Sequence, residues 1–177
     1  MHPTDANQLL AGSQDNGTQL RTDSPTFDVT LGGDGMWDAY KRSDPNIALG
    51  QTQQAAVRRS TDGGRTWTRV LDASGDHQGL WCAPLVNDTR TPSRFYLGTN
   101  FLYRSTNDGQ TWSRISGDLT DGGVLNVIAV APSDSNVIYT GVYRRRGVCQ
   151  HKRRSHMDEA HGWAASASSR WLDSRPQ

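Results

Sequence analysis

The chain has 177 residues, enough for one domain or at most two, with a formal net charge of +1. No apolar run approaches the ~20 residues of a membrane span, and nothing at Met1 resembles a signal peptide. The near-neutral total argues against a nucleic-acid binder, but it hides a split. Residues 1–143 hold 11 Lys+Arg against 15 Asp and no Glu, whereas residues 144–177 hold 8 Lys+Arg against 3 acids.

In chain order, the body reads as one unit repeated. A turn rich in Pro, Asn and Asp precedes a short apolar strand ending in glycine at Gln8–Gly12, Ile47–Gly50, Phe95–Gly98 and Val137–Gly141. A second strand follows, then an octapeptide. Ser60-Thr61-Asp62-Gly63-Gly64-Arg65-Thr66-Trp67 recurs 45 residues later as Ser105-Thr106-Asn107-Asp108-Gly109-Gln110-Thr111-Trp112. The common pattern is S-x-[DN]-x-G-x-T-W. Residues 124–130, Val-Leu-Asn-Val-Ile-Ala-Val, are β-branched and too short for a typical helix, so they read as a buried strand. Several short strands per ~45 residues is the pattern of a propeller blade.

The octapeptide has a local physical logic. Asp62 or Asn107 can bond back onto nearby N–H groups, and Ser60 or Ser105 can do so more weakly. Gly64 and Gly109 supply positive φ. Thr66-Trp67 and Thr111-Trp112 then open the next strand with a ring to bury between sheets.

These octapeptides resemble Asp-boxes, the bacterial neuraminidase (BNR) repeats of sialidases, xyloglucan-active glycoside hydrolases, sortilin-type receptor domains and photosystem assembly factors. The strand entries and the phrase Gly12-Ser13-Gln14-Asp15-Asn16-Gly17-Thr18 resemble bacterial BNR-repeat glycosyl hydrolases in particular. The resemblance implies an all-β partial propeller of three to four blades over residues 1–143, each a four-stranded antiparallel sheet. It also implies that the boxes are structural turns remote from any active site. Closed propellers in these families have more blades than this length supplies, so the expectation is a fragment that is prone to aggregate. Relatives are mostly exported, which leaves the compartment of this chain open.

Residues 144–177 break the pattern. The repeat period calls for a third box at 150–157, where the sequence is Gln-His-Lys-Arg-Arg-Ser-His-Met. Met is encoded by ATG and Asp158 begins with G, so reading one nucleotide later turns position 157 into Trp. The shifted frame also permits S-T-[NS]-x-G-x-T-W across the stretch. The tail is therefore expected to be out of frame from about residues 141–146 and irregular. The alternative is a genuine basic tail for an acidic surface, built on Arg144–Arg146 and Lys152–Arg154.

Glycoside hydrolysis uses two carboxyl groups roughly 5–9.5 Å apart. Most aspartates here lie in turn sequences, and two are candidates for catalysis. Asp15 resembles the catalytic Asp of the Asp-x-Gly-Gly-x-Tyr-Arg segment in xyloglucan-active enzymes, keeping the Asp, one Gly and Arg21 but lacking the second Gly and the Tyr. Asp34 sits in a glycine-rich loop before Trp37, an aromatic of the kind that stacks on sugars. A sialidase reading fails, because the Arg-Ile-Pro segment is absent and the body has no Glu. Asp76-His77 has no nucleophile elbow to serve, and His77 reads as a loop residue. Cys82 and Cys149 support neither a disulfide framework nor a zinc site. The glycines fit no phosphate-binding loop. No cofactor or metal is expected. The partner is a polysaccharide or glycan if the chain is hydrolase-like; a non-catalytic propeller would bind a protein or a glycan.

Overall fold

The computed structural model describes residues 2–76, 81–143 and 150–154. Four antiparallel sheets account for its regular structure, with no helix among the described residues. The first holds β1 (Leu9–Ser13), β2 (Gly17–Arg21) and β3 (Asp28–Leu31). The second holds β4 (Gly35–Tyr40), β5 (Ala48–Thr52), β6 (Ala56–Ser60) and β7 (Thr68–Asp72). The third holds β8 (Leu85–Asn87), β9 (Phe95–Gly98), β10 (Leu102–Ser105) and β11 (Ser113–Arg114). The fourth holds β12 (Val124–Ala131), β13 (Asp134–Tyr143) and β14 (Gln150–Arg154). Within each sheet every strand pairs with its neighbour in sequence. The leading strands β4, β8 and β12 lie beside one another in turn. This is a partial β-propeller, the all-β architecture that the repeats predict.

Three apolar joints hold the blades together. Leu10 and Leu20 meet Tyr40, Ala48 and Trp67 between the first and second sheets. Leu49 and Val57 meet Leu85, Phe95 and Leu97 between the second and third, with Trp112 packed against them. Tyr96 and Leu102 meet Leu125, Ile128 and Val142 between the third and fourth. Strand β5 is buried along its whole length because it faces a neighbouring blade on both sides. Each fully buried large side chain, such as Leu49, Leu85 or Phe95, contributes about 1.5–3 kcal/mol. At the first joint the backbones nearly touch. A Cβ on Gly12 would lie 2.0 Å from the Met36 carbonyl oxygen, and one on Gly35 would lie 2.2 Å from that of Gly17. Only glycine fits there.

The two octapeptides close the β6–β7 and β10–β11 hairpins. Ser60 Oγ accepts the Gly64 N–H at 2.8 Å and donates to Asp62 Oδ1 at 2.7 Å. Asp62 accepts the N–H groups of Arg65 and Thr66 and the Thr66 hydroxyl, at 3.0, 2.9 and 2.6 Å. In the second turn Ser105 Oγ accepts the Gly109 N–H at 3.0 Å, and Asn107 Oδ1 accepts that of Thr111 at 3.0 Å. Here the hydroxyl bond reverses direction: the Asn107 amide donates to Thr111 Oγ1 at 2.9 Å. Gly64 and Gly109 take φ of +96° and +77°. Trp67 and Trp112 each pack back toward the preceding blade.

Within the stretch expected to be irregular, one strand is present. Gln150–Arg154 pair with Ile138–Val142 of β13. β14 thereby covers the edge of β13 that faces away from β12, and strand addition to such an edge needs only backbone hydrogen bonds, whatever the side-chain pattern. The rest of the tail, including Cys149, lies outside the described residues.

Candidate functional site

Because consecutive strands are antiparallel, alternate connections emerge at opposite rims of the propeller. The boxed turns β6–β7 and β10–β11 share one rim. The connections β1–β2, β3–β4, β5–β6 and β7–β8 share the other, and both candidate aspartates are on it.

There the structure brings Asp15 and Asp34 together. Asp34 Oδ1 accepts the Asp15 N–H at 2.7 Å, while the Asp34 N–H donates to Gln53 Oε1 at 3.1 Å. Three loops from two blades are thereby tied into one surface. Asp15 holds φ of +65°, a left-handed conformation that Asp tolerates better than most residues. Its carboxylate has no hydrogen-bond partner among the described residues and is exposed. The Asp34 carboxylate, by contrast, is engaged in holding the β1–β2 turn.

Sequence reasoning missed a third carboxyl. Asp38, on β4, borders a hollow of about 450 Å³ with Trp37, Met36 and Cys82. Burial pushes its pKa up to about 7, against the opposing hydrogen bond from the Thr18 hydroxyl at 3.2 Å. Its Oδ2 is buried with no partner among the described residues. A carboxyl that stays protonated near neutral pH can donate a proton, which an ordinary surface Asp cannot. Burial likewise raises the Cys82 thiol. Trp37, at 47% exposure, and Trp81 in the β7–β8 connection, at 46%, leave two large rings open to solvent. The Trp81 carbonyl accepts the Gln54 N–H at 3.4 Å, fixing this connection beside the β5–β6 turn.

Further along the same rim, Asp76 accepts the Tyr103 hydroxyl, whose pKa is pushed up to about 12 by burial and by that carboxylate. Asp118 accepts the Asn100 amide at 3.0 Å. His77 lies outside the described residues. Among the described residues no cluster of three or more His, Cys, Asp or Glu could hold a metal ion, and no helix is long and apolar enough to cross a membrane.

No family model and no curated protein matches the sequence. Solved structures do match. An ancestral GH74 enzyme superposes with a TM-score of 0.66 at 22% identity, over 80% of this chain and 21% of that one. The fold is that of a β-propeller. The GH74 xyloglucanase from Xanthomonas campestris gives 0.60 at 18% identity, over 87% of this chain and 27% of that one. YCF48 from Cyanidioschyzon merolae gives 0.53 at 13% identity, over 86% and 53%. The chain thus spans about a quarter of the length of these enzymes and about half that of YCF48.

Proposed function

We propose that the chain is part of a glycoside-hydrolase-like propeller of the Asp-box type, and that its Asp15–Asp34 rim binds a polysaccharide. The observation that carries this reading is the Asp34–Asp15 hydrogen bond, which fixes an exposed carboxylate on the rim that also bears Trp81, with Trp37 near the start of β4. Exposed indole faces suit the apolar faces of pyranose rings. Asp15 is the candidate acid–base carboxyl and Asp34 the residue that positions it; the boxed residues have a structural role only. The likeness to GH74 enzymes is in keeping with a glycan ligand.

A second reading, a non-catalytic propeller that binds a glycan or a protein, is favoured by one feature. The Asp34 carboxylate is occupied by a backbone N–H, which leaves Asp15 without a free carboxylate partner from that loop.

Affinity electrophoresis of the intact chain in xyloglucan, run beside a reducing-sugar assay, separates the two. Retardation that weakens in Trp37→Ala and Trp81→Ala supports the glycan-binding rim. Turnover lost in Asp15→Asn with retardation unchanged supports catalysis, and retardation without turnover supports the second reading. A wild-type chain that is not retarded by xyloglucan would sink the first.

A further inference from the structure

A second hollow lies between the first and second blades and runs down from the rim that carries the β3–β4, β5–β6 and β7–β8 connections. It is a cleft of about 720 Å³. One wall is the end of β3 and the β3–β4 loop, Thr30 to Gly33; the other is the face of β5, β6 and β7. Arg58 and Arg69 project from that second wall as direct cross-strand partners, in a register shifted by a bulge between Val57 and Arg58. Like charges directly opposite one another destabilise a sheet unless something neutralises them. Asp72, also in the cleft, pairs with Arg69. Arg58 has no such partner: its Nε is buried and makes no hydrogen bond, and it forms no ion pair among the described residues.

The cleft therefore presents two guanidinium groups and one carboxylate, one positive charge in excess, together with a buried donor that lacks an acceptor. A buried guanidinium N–H without a partner is costly, and a carboxylate is the acceptor that matches the arginine fork best. The remaining polar lining is neutral: Thr30, Thr52, Gln53, Gln54 and Ser74 offer hydroxyls and amides. Trp67 adds an aromatic surface, its indole N–H held by Thr30 Oγ1 at 3.2 Å. One excess positive charge, hydroxyl-matching groups and one aromatic wall describe a ligand with one carboxylate per ring and many hydroxyls.

We propose that this interblade cleft binds a hexuronic acid unit of an acidic polysaccharide, with its carboxylate on Arg58 and Arg69. An acidic peptide fits less well, because its side chains carry no hydroxyls for the Thr30, Thr52, Gln53, Gln54 and Ser74 lining to match. Neither Asp15 nor Asp34 lines the cleft, although Gln53, which accepts the Asp34 N–H, does, so the cleft is tested separately through its arginines.

The test is a titration of the intact chain, followed by tryptophan fluorescence, with trigalacturonic acid, with neutral cellotriose and with a hexaglutamate peptide. Trigalacturonate is expected to bind best, and to weaken about tenfold or more in Arg58→Gln and less in Arg69→Gln. Arg58→Lys keeps the charge but loses the fork, and falls between wild type and Arg58→Gln; it also serves if Arg58→Gln fails to fold. Asp15→Asn and Trp37→Ala, outside the cleft lining, leave this affinity unchanged even where they abolish retardation by xyloglucan. Cellotriose binding as tightly as trigalacturonate would overturn the proposal, as would indifference to every arginine substitution. Equal or tighter binding of hexaglutamate would transfer the site to acidic peptides.

Discussion

Thr18 and Asp38 meet across the joint between the first two blades, the threonine hydroxyl donating to one carboxyl oxygen at 3.2 Å while the other is buried without a partner among the described residues. Burial outweighs that bond and holds the pKa at about 7, above the value of about 3.9 expected in the unfolded chain. Over that interval the unfolded chain ionises first. The stability associated with a neutral Asp38 is therefore complete below about pH 4, declines as pH rises to about 7, and is flat beyond. Asp38→Asn removes the titration, so its melting temperature should exceed that of wild type at pH 8 by more than at pH 5. An unchanged difference between the two pH values would refute the assignment.

Asp62 behaves in the opposite sense. Desolvation is the largest single influence and raises its pKa, but the hydrogen bonds from Thr66, Ser60 and Arg65 together outweigh it and hold the pKa at about 2. The stability this confers is present above about pH 4 and is lost as pH falls toward 2. Asp62 is only half-buried, so solvent screening keeps the effect below about 1 kcal/mol. Asp62→Asn should flatten the acid limb of the stability curve, and Asn107→Asp should add such a limb at the second turn. Denaturant melts between pH 2 and 5 measure both.

Gly64→Ala combines a φ of +96° with a Cβ 2.8 Å from Leu10 Cδ2. Backbone strain alone is of order 1–2 kcal/mol, and Leu10 must also shift. The expected loss is about 1–3 kcal/mol in urea unfolding. Gly117→Ala, where a Cβ meets nothing within 4 Å, serves as the near-neutral control.

Val127, Tyr139 and Tyr143 are 45%, 38% and 50% exposed and share one face of the fourth sheet. A contiguous apolar sheet face favours self-association. The intact chain should elute in concentration-dependent oligomers on gel filtration, and a Val127→Thr, Tyr139→Thr, Tyr143→Thr triple variant should elute later than wild type at equal load, with a lower mass by light scattering. A monodisperse wild-type monomer would contradict this.

The coding DNA offers a separate check on residues 144–177. Read one nucleotide later from about residue 144, it should encode a third S-x-[DN]-x-G-x-T-W octapeptide at 150–157. A shifted frame without that box would leave the basic-tail reading in place.

The fold was legible where its determinants are local. Ser60 to Trp67 and Ser105 to Trp112 satisfy their hydrogen bonds within eight residues, so their spacing announces two hairpins and, through the period, two blades. The β2–β3 turn escaped notice because it has Thr22 and Ser24 where the boxes have Asp or Asn and Gly, and keeps only Thr26-Phe27 of the pattern. At the rim, Asp15 and Asp34 could be picked out singly by their loop sequences, but the bond between them spans 19 residues and depends on blade packing. Asp38 and Arg58 gave no signal at all. The depth of Asp38 comes from a close approach of Gly12 and Gly35 backbones, and the facing of Arg58 and Arg69 comes from a bulge that no periodicity reveals.

The alternation of connections between the two rims has an evolutionary consequence. The turns that secure each hairpin and the loops that meet solvent on the opposite rim are covalently neighbouring yet spatially separate, with a strand length between them. A substitution at Asn16 or Gln54 can alter what the chain recognises without disturbing a single boxed hydrogen bond. Each blade thus supplies an independently variable letter to a composite surface, and new specificity can be assembled by exchanging short loops while the scaffold remains unaltered.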